Sequence, residues 1–168
     1  MIPETGPLRL HEEIVRPEWV DYNGHMNVAY YVLAFDHATD RLLDYLGLGQ
    51  DYLKEKACSV FVVESHVTYE SELVAGDPLR FETYLLGHDE KRVHFFHMMY
   101  HAGEGFVAAS NELLALHMAM GTRRAIAFPL EAKEKQAELW RLHSNVPTPP
   151  QVGRVIGLRK RRPGRPTG

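Results

Sequence analysis

One cysteine, Cys58, stands in the whole 168-residue sequence, so no disulfide can close within the chain. No stretch approaches the roughly 18 apolar residues that a membrane-spanning helix needs. The opening Met-Ile-Pro-Glu-Thr-Gly has neither a basic nor an apolar segment, so it lacks the pattern of a secretory signal. These absences set the expectation of a cytoplasmic protein with no membrane contact. Nor is there a repeat at a solenoid period. What is present is one domain's length of chain, 45% hydrophobic and 24% charged, enough to bury a sizeable core.

The net charge of −3 hides a split. Residues 151–168 hold six of the 19 basic side chains (Arg154, Arg159, Lys160, Arg161, Arg162, Arg165) and no acid, leaving 13 basic against 22 acidic in the first 150. The expected organisation is a folded domain over residues 1–146 and a Pro-rich, basic, flexible tail over 147–168. Such a tail suits a polyanion. Beside so acidic a body it reads instead as a solvated end, and nucleic acid is not the expected partner.

Periodicity gives the order of elements. Leu8 to Val20 alternates roughly and predicts a first strand. Asp21-Tyr22-Asn23-Gly24-His25-Met26-Asn27 is a polar loop. From Val28 to Leu46, apolar residues at Val28, Val32, Phe35, Leu42 and Leu46, widened by Ala29, Tyr31, Ala34, Ala38 and Leu43, predict a helix apolar around most of its circumference. Asn27 suits its N-cap and Gly47 the residue past its end. Four strands follow, over 59–69, 79–86, 92–100 and 106–120, with hairpin-like turns at Ala75-Gly76-Asp77-Pro78, Gly87-His88-Asp89-Glu90 and Ala102-Gly103-Glu104-Gly105. In the first of them Phe61, Val63, Val67 and Tyr69 are predicted on one face, and Val60, Val62, Glu64 and His66 on the other. A charged helix over Leu130–His143 follows Pro129. So apolar a helix cannot sit outside an open sheet, so the expectation is an α+β fold with an antiparallel sheet curled around it. The exposed sheet edges invite a second copy, and a homodimer or dimer of dimers is expected.

The loop before the long helix is where chemistry can sit. A helix N-terminus offers unpaired N–H groups and a positive dipole end, suited to an oxyanion, and Asp21 lies just upstream. Its carboxylate can act as nucleophile or as general base for water; the alternative is that Asp21 and Asn27 only satisfy turn and cap hydrogen bonds. Glu64, set in an apolar strand, either pairs with a neighbour such as His66 or faces a substrate. Trp19, Tyr22, Tyr30, Tyr31 and Phe61 are candidates for an aromatic cage around a cation. Asn111 and Glu112 are polar in a long apolar strand and equally ambiguous. The cations Lys91, Arg92, Arg123 and Arg124 could meet phosphates. His94 points opposite to His97 and His101 along a strand, so they do not converge, and no metal site is expected. His66, His88, His117 and His143 are read as surface or packing residues.

Trp19-Val20-Asp21-Tyr22-Asn23-Gly24-His25-Met26-Asn27, followed by Tyr30 and Tyr31 on a helix, resembles the signature of hotdog-fold acyl-CoA thioesterases of the 4-hydroxybenzoyl-CoA thioesterase type. The resemblance covers about residues 8–130, through Tyr69-Glu70, the Ala75-Gly76-Asp77 turn and the Thr122-Arg123-Arg124…Phe128-Pro129 ending. It is strongest to the small thioesterases of carnitine breakdown that act on betainyl-CoA. It implies a hotdog fold, an acyl-CoA substrate with a short polar acyl group, and no cofactor. Asp21 would be the catalytic carboxylate and N–H groups near Asn27 and Val28 the oxyanion hole. His25 would contact the thioester or pack within the loop. Where many relatives carry a second Asn, this chain has Val28, which offers only its backbone. Two rivals remain. One is a hotdog hydratase or dehydratase on enoyl-CoA or 3-hydroxyacyl-CoA, which usually needs a His with an acid on the helix, whereas His37 lies far down it. The other is a non-catalytic acyl-CoA- or DNA-binding regulator, favoured only by the basic tail.

Overall fold

The computed structural model describes residues 6–158. The long helix, α1, spans Val28–Leu46, as its periodicity predicts. Asn27 is its N-cap, accepting the Ala29 N–H at 3.0 Å, and Gly47 closes it in the left-handed conformation with φ 76°. Tyr31, Ala34, Phe35, Ala38, Leu42 and Leu46 form its buried stripe. Its other face is not covered within one chain: Val28, Val32 and Leu33 are exposed.

Around that stripe lies a six-stranded antiparallel sheet in the order β1-β3-β4-β5-β2, with the two-residue β6 (Arg124–Ala125) beside β5. The strands are β1 (Glu12–Ile14), β2 (Cys58–Tyr69), β3 (Pro78–His88), β4 (Arg92–His101) and β5 (Val107–Ala119). Phe81, Phe95, Met99 and Ala109 point inward onto α1, and this curled sheet around one helix is the α+β architecture expected. A short helix, α2 (Gln50–Lys56), leads into β2, and α3 (Leu130–His143) closes the Leu42–Leu46 end of the core with Ala132 and Leu139. Among the described residues no helix is long and apolar enough to cross a membrane.

Three expectations need correction, and two short elements come in addition. The first strand does not run from 8 to 20: it is three residues of β1 plus a bridge from Leu8 to Thr83. Pro17, which cannot donate to a ladder, starts a 3-10 turn over Pro17–Trp19 instead. Neither α2 nor β6 carries enough period to be read from sequence. The turn at 75–78 does not close a hairpin, because β2 pairs with β5 and not with β3. The connection from Glu70 to Asp77 instead passes the start of α1, where Leu73 is buried and its carbonyl accepts the Met26 N–H at 2.8 Å. Finally, β2 is bulged at Val63, which slips the alternation by one residue. Phe61 therefore shares the outer face with Glu64 and His66, while Val60 and Val62 turn inward with Val67 and Tyr69.

After α3 the chain crosses the outer face. Pro149 is buried, Gln151 Nε2 donates to Glu70 at 2.8 Å, and the Gly153 N–H donates to Glu112 at 2.6 Å. The basic cluster Arg159, Lys160, Arg161, Arg162 and Arg165, on which the flexible tail and the nucleic-acid reading rest, lies outside the described residues.

Candidate active site

The loop from Asp21 to Asn27 is a tight, self-bonded turn. The Asp21 N–H donates to the His25 carbonyl at 3.0 Å, and the Gly24 N–H to the Asp21 carbonyl at 3.0 Å. Gly24 sits at φ 82°, a conformation glycine adopts without a Cβ penalty. The Asn23 N–H donates to Asp21 Oδ1 at 2.8 Å, fixing the carboxylate in an Asx turn. Both ends of the loop are anchored, the Asn27 N–H to the Trp19 carbonyl at 2.9 Å and Val20 bridged to Met26. The carboxylate is thus presented by a rigid turn directly ahead of the N-terminus of α1.

The donors there divide clearly. Ala29 N–H is taken by the Asn27 side chain, and Asn27's own N–H by Trp19, so Asn27 is a cap and cannot supply its N–H to an oxyanion. The Val28 N–H makes no hydrogen bond among the described residues. It lies in the first turn of a 19-residue helix, where the dipole favours negative charge. A hollow runs over this point, lined by Asp21, Asn23, His25, Met26, Val28, Tyr31, Tyr69, Glu70, Ser71 and Glu72. His25 pairs with Glu72 at 3.2 Å across its rim. Tyr31 is buried, donates to the Ser71 carbonyl at 3.2 Å, and meets Tyr69 edge to face with ring centres 5.3 Å apart. Burial pushes its hydroxyl up to about 12, so it stays a protonated donor.

Tyr69, Glu70 and Glu72 line the hollow without having been assigned a role from the sequence: Tyr69-Glu70 falls within the family resemblance, and nothing in the local sequence marks Glu72. They reach Asp21 only because the segment after β2 is tied to the loop through Leu73 and Met26.

The sequence-derived aromatic cage is not assembled in one chain. Trp19 is buried, stacked on Tyr30 at 5.7 Å, and Tyr22 is fully exposed on the turn. Phe61 and Glu64 lie across the sheet from these rings; Glu64 is exposed, with cross-strand neighbours Leu114 and His94. The four cations are also remote from Asp21 along the chain's own sheet. Arg92, Leu116 and Phe61 form one row across three strands, with the Arg123 guanidinium 5.4 Å from the Phe61 ring centre and Arg124 in β6 beside it. Arg92 is held by Asp89 at 2.6 Å, and Lys91 is exposed in the same turn. Phe61 and Tyr69 are eight residues apart on β2, roughly 26 Å at strand rise.

The histidines divide as expected for the β4 set. His94 is on the outer face with Glu112 at 2.9 Å, His97 is fully buried between Thr83 and Thr39, and His101 faces Asp77 at 3.5 Å. Asn111 accepts from Ser65 at 2.7 Å on the inner face, so both polar oddities of β5 are satisfied. His117, buried against Phe128, bonds Tyr52, and His143 accepts the Leu85 N–H at 2.7 Å. One convergence was not foreseen. His11, Glu13 and His37 bring three potential metal-binding groups together. The two imidazoles bond the carboxylate at 3.0 and 3.1 Å. Each imidazole proton has its acceptor in Glu13, so the triad is satisfied as it stands. His37, bonded to Glu13, does not line the Asp21 hollow, so no histidine of α1 stands beside that carboxylate.

Comparison with known proteins finds one family throughout. The family model for the thioesterase-like superfamily matches residues 15–136. A betainyl-CoA thioesterase of Pseudomonas aeruginosa is 39% identical over 151 residues, covering 90% of this chain and 95% of that protein. An L-carnitine dehydrogenase/betainyl-CoA thioesterase of Rhizobium meliloti is 34% identical over 156 residues; the match takes in 93% of this chain but 31% of that longer protein. Among solved structures, a Staphylococcus aureus protein crystallised in complex with CoA superposes with a TM-score of 0.85 at 29% identity, covering 95% of this chain and 98% of that one.

Proposed function

This chain belongs to the thioesterase-like superfamily, and we propose that it hydrolyses an acyl-CoA thioester to a free acid and CoA, with betainyl-CoA as substrate. The observation that carries the reading is the pairing, in one hollow, of a fixed carboxylate and an unpaired helix N-terminal donor. The substrate carbonyl lies with its oxygen at the Val28 N–H and its carbon toward Asp21. Asp21 attacks that carbon or takes a proton from the water that does. Charge gathering on the oxygen meets the Val28 N–H and the dipole of α1, which stabilise the tetrahedral state more than the flat thioester. The C–S bond then breaks and CoA leaves as its thiolate; where Asp21 is the nucleophile, water hydrolyses the resulting acyl–Asp21 anhydride, releasing the acid and restoring the carboxylate. His25 orders the rim through Glu72.

The working unit is a homodimer, cytoplasmic in the bacterial cell. β2 is a 12-residue strand at the open end of the sheet, and Val62 and Val63 on it are exposed together with Val32 and Leu33 of α1. A copy pairing antiparallel along this edge covers both patches. It also brings the Phe61 end of one copy beside the Tyr69 end of the other. Arg92, Arg123 and Lys91, too far from Asp21 in their own chain, then serve the CoA phosphates of the partner's site.

The direct test is Asp21→Asn assayed by free-thiol release from betainyl-CoA. A fall of about 10²- to 10⁴-fold in kcat is expected for loss of a general base or nucleophile. Turnover near the wild-type rate would remove Asp21 from the chemistry. Val28→Pro, which deletes the one free N–H at a position where proline fits a helix, is expected to cost kcat with little change in fold.

A further inference from the structure

We infer that the acyl-binding end of the hollow is a quaternary-ammonium subsite, in which the ring of Tyr69 is the principal recognition face and Glu72 supplies charge from the rim. This rests on the thioesterase reading above. In a betainyl thioester one methylene separates the carbonyl carbon from the cationic nitrogen. Whatever recognises the cation must therefore line the same hollow as the carboxylate that meets the carbonyl. That condition excludes Phe61 and Glu64, on the outer face, and Trp19, whose ring is buried against Tyr30.

The residues left have the required chemistry. Tyr69 is 47% exposed, lines the hollow beside Asp21 and Val28, and is braced edge to face by the buried Tyr31. An exposed aromatic face held by a second ring is a preformed platform for a trimethylammonium group, which has no N–H to donate and is bound through its surface. Among the described residues of one chain the hollow carries, besides Asp21, Glu70 and Glu72 and no Lys or Arg, so its field at the acyl end favours a cationic acyl group and opposes an anionic one. Glu70 is tethered by Gln151 and Glu72 by His25, so both carboxylates are held at the wall.

The test compares two thioesters of nearly equal shape, betainyl-CoA and 3,3-dimethylbutanoyl-CoA, in which carbon replaces the charged nitrogen. Wild-type enzyme is expected to prefer the cation in kcat/KM. Tyr69→Leu is expected to lower that preference by roughly threefold to thirtyfold, mainly through KM, the range a cation on an aromatic face supports. Tyr69→Phe keeps the ring and is expected to keep the preference, even though it loses the 3.4 Å contact of the hydroxyl with the Val28 carbonyl. Glu72→Gln is expected to lower the preference further and to make it less sensitive to salt. An unchanged preference in Tyr69→Leu, or a wild-type enzyme indifferent to the charge, would overturn the subsite while leaving the thioesterase standing. Release of CoA from neither thioester would instead remove the reading beneath it.

Discussion

At the scale of single residues, the site and the core use the same polar chemistry to opposite ends. Asp21 is fixed by one backbone donor and left facing a hollow, whereas His97 is bonded on both nitrogens. Thr39 gives its own proton to the Phe35 carbonyl, so it must accept from His97 Nε2, and Nδ1 then accepts from Thr83. Burial pushes His97 down to about 3, so it stays neutral. An unfolded chain takes up that proton below about pH 6.5 and the folded chain does not, so this contribution to stability is complete above pH 6.5 and declines as pH falls toward 3. Urea unfolding between pH 7.5 and 4.5 should show the decline, at no more than about 1.4 kcal/mol per pH unit for one proton. His97→Gln should flatten it. His143, also lowered by burial, adds in the same direction. Glu13 behaves differently: burial alone would raise it, but His11 and His37 outweigh burial and hold it low. Its contribution is lost only once pH falls below the ordinary carboxylate range. For Asp21 itself, single turnover in oxygen-18 water marks a nucleophile when label enters the Asp21 carboxylate. Label confined to the product acid is shared by a general base and by an acyl–Asp21 anhydride opened at its acyl carbon, and hydroxylamine trapping of the anhydride separates those two.

At the scale of elements, α1 is set by its two caps. Asn27→Ala removes the acceptor for Ala29 N–H and should cost about 1 kcal/mol, with Asn27→Ser recovering most of it. Gly47→Ala is a purely conformational test. The added Cβ would meet only the Lys135 ammonium at 3.6 Å, so the expected loss of about 1 kcal/mol comes from φ 76° alone. In a chain of this size either change should lower Tm by roughly 2–4 °C in a thermal melt. Both caps and both ends of α1 were legible because capping depends on residues adjacent in sequence. The bulge in β2 was not. Val63 reads as one more apolar residue in a regular strand, and only pairing with β5 reveals it as unpaired. That single slip moved Phe61 to the face opposite Tyr69 and so out of the aromatic set expected around a cation.

At the scale of the molecule, the proposed dimer turns on burial of the apolar edge of β2 and the uncovered face of α1. Val63→Asp should then shift the species seen by light scattering toward monomer, and in the proposed arrangement activity should fall with it, since the partner's cations would no longer reach the CoA phosphates. The segment after α3 has a separate role. Ending the chain at residue 158 should leave thioester turnover unchanged. Ending it at 146 removes the Gln151 and Gly153 contacts to Glu70 and Glu112, and should lower Tm and raise KM through the freed Glu70.

The sequence by itself determined what depends on near neighbours: the helix over 28–46 with its caps, the rigid turn that presents Asp21, the four long strands, and through the Asp-x-x-Gly-His-Met-Asn run the family. Only the tertiary structure decided which strand lies at the edge and what stands across from Asp21. Pairing of β2 with β5, and the tie from Leu73 to Met26, place residues 69–72 beside residues 21–28. Such contacts come from long-range packing and backbone hydrogen bonds, which leave no period in the residues that make them. The place and turn character of the loop were therefore readable in advance, and the wall facing it was not.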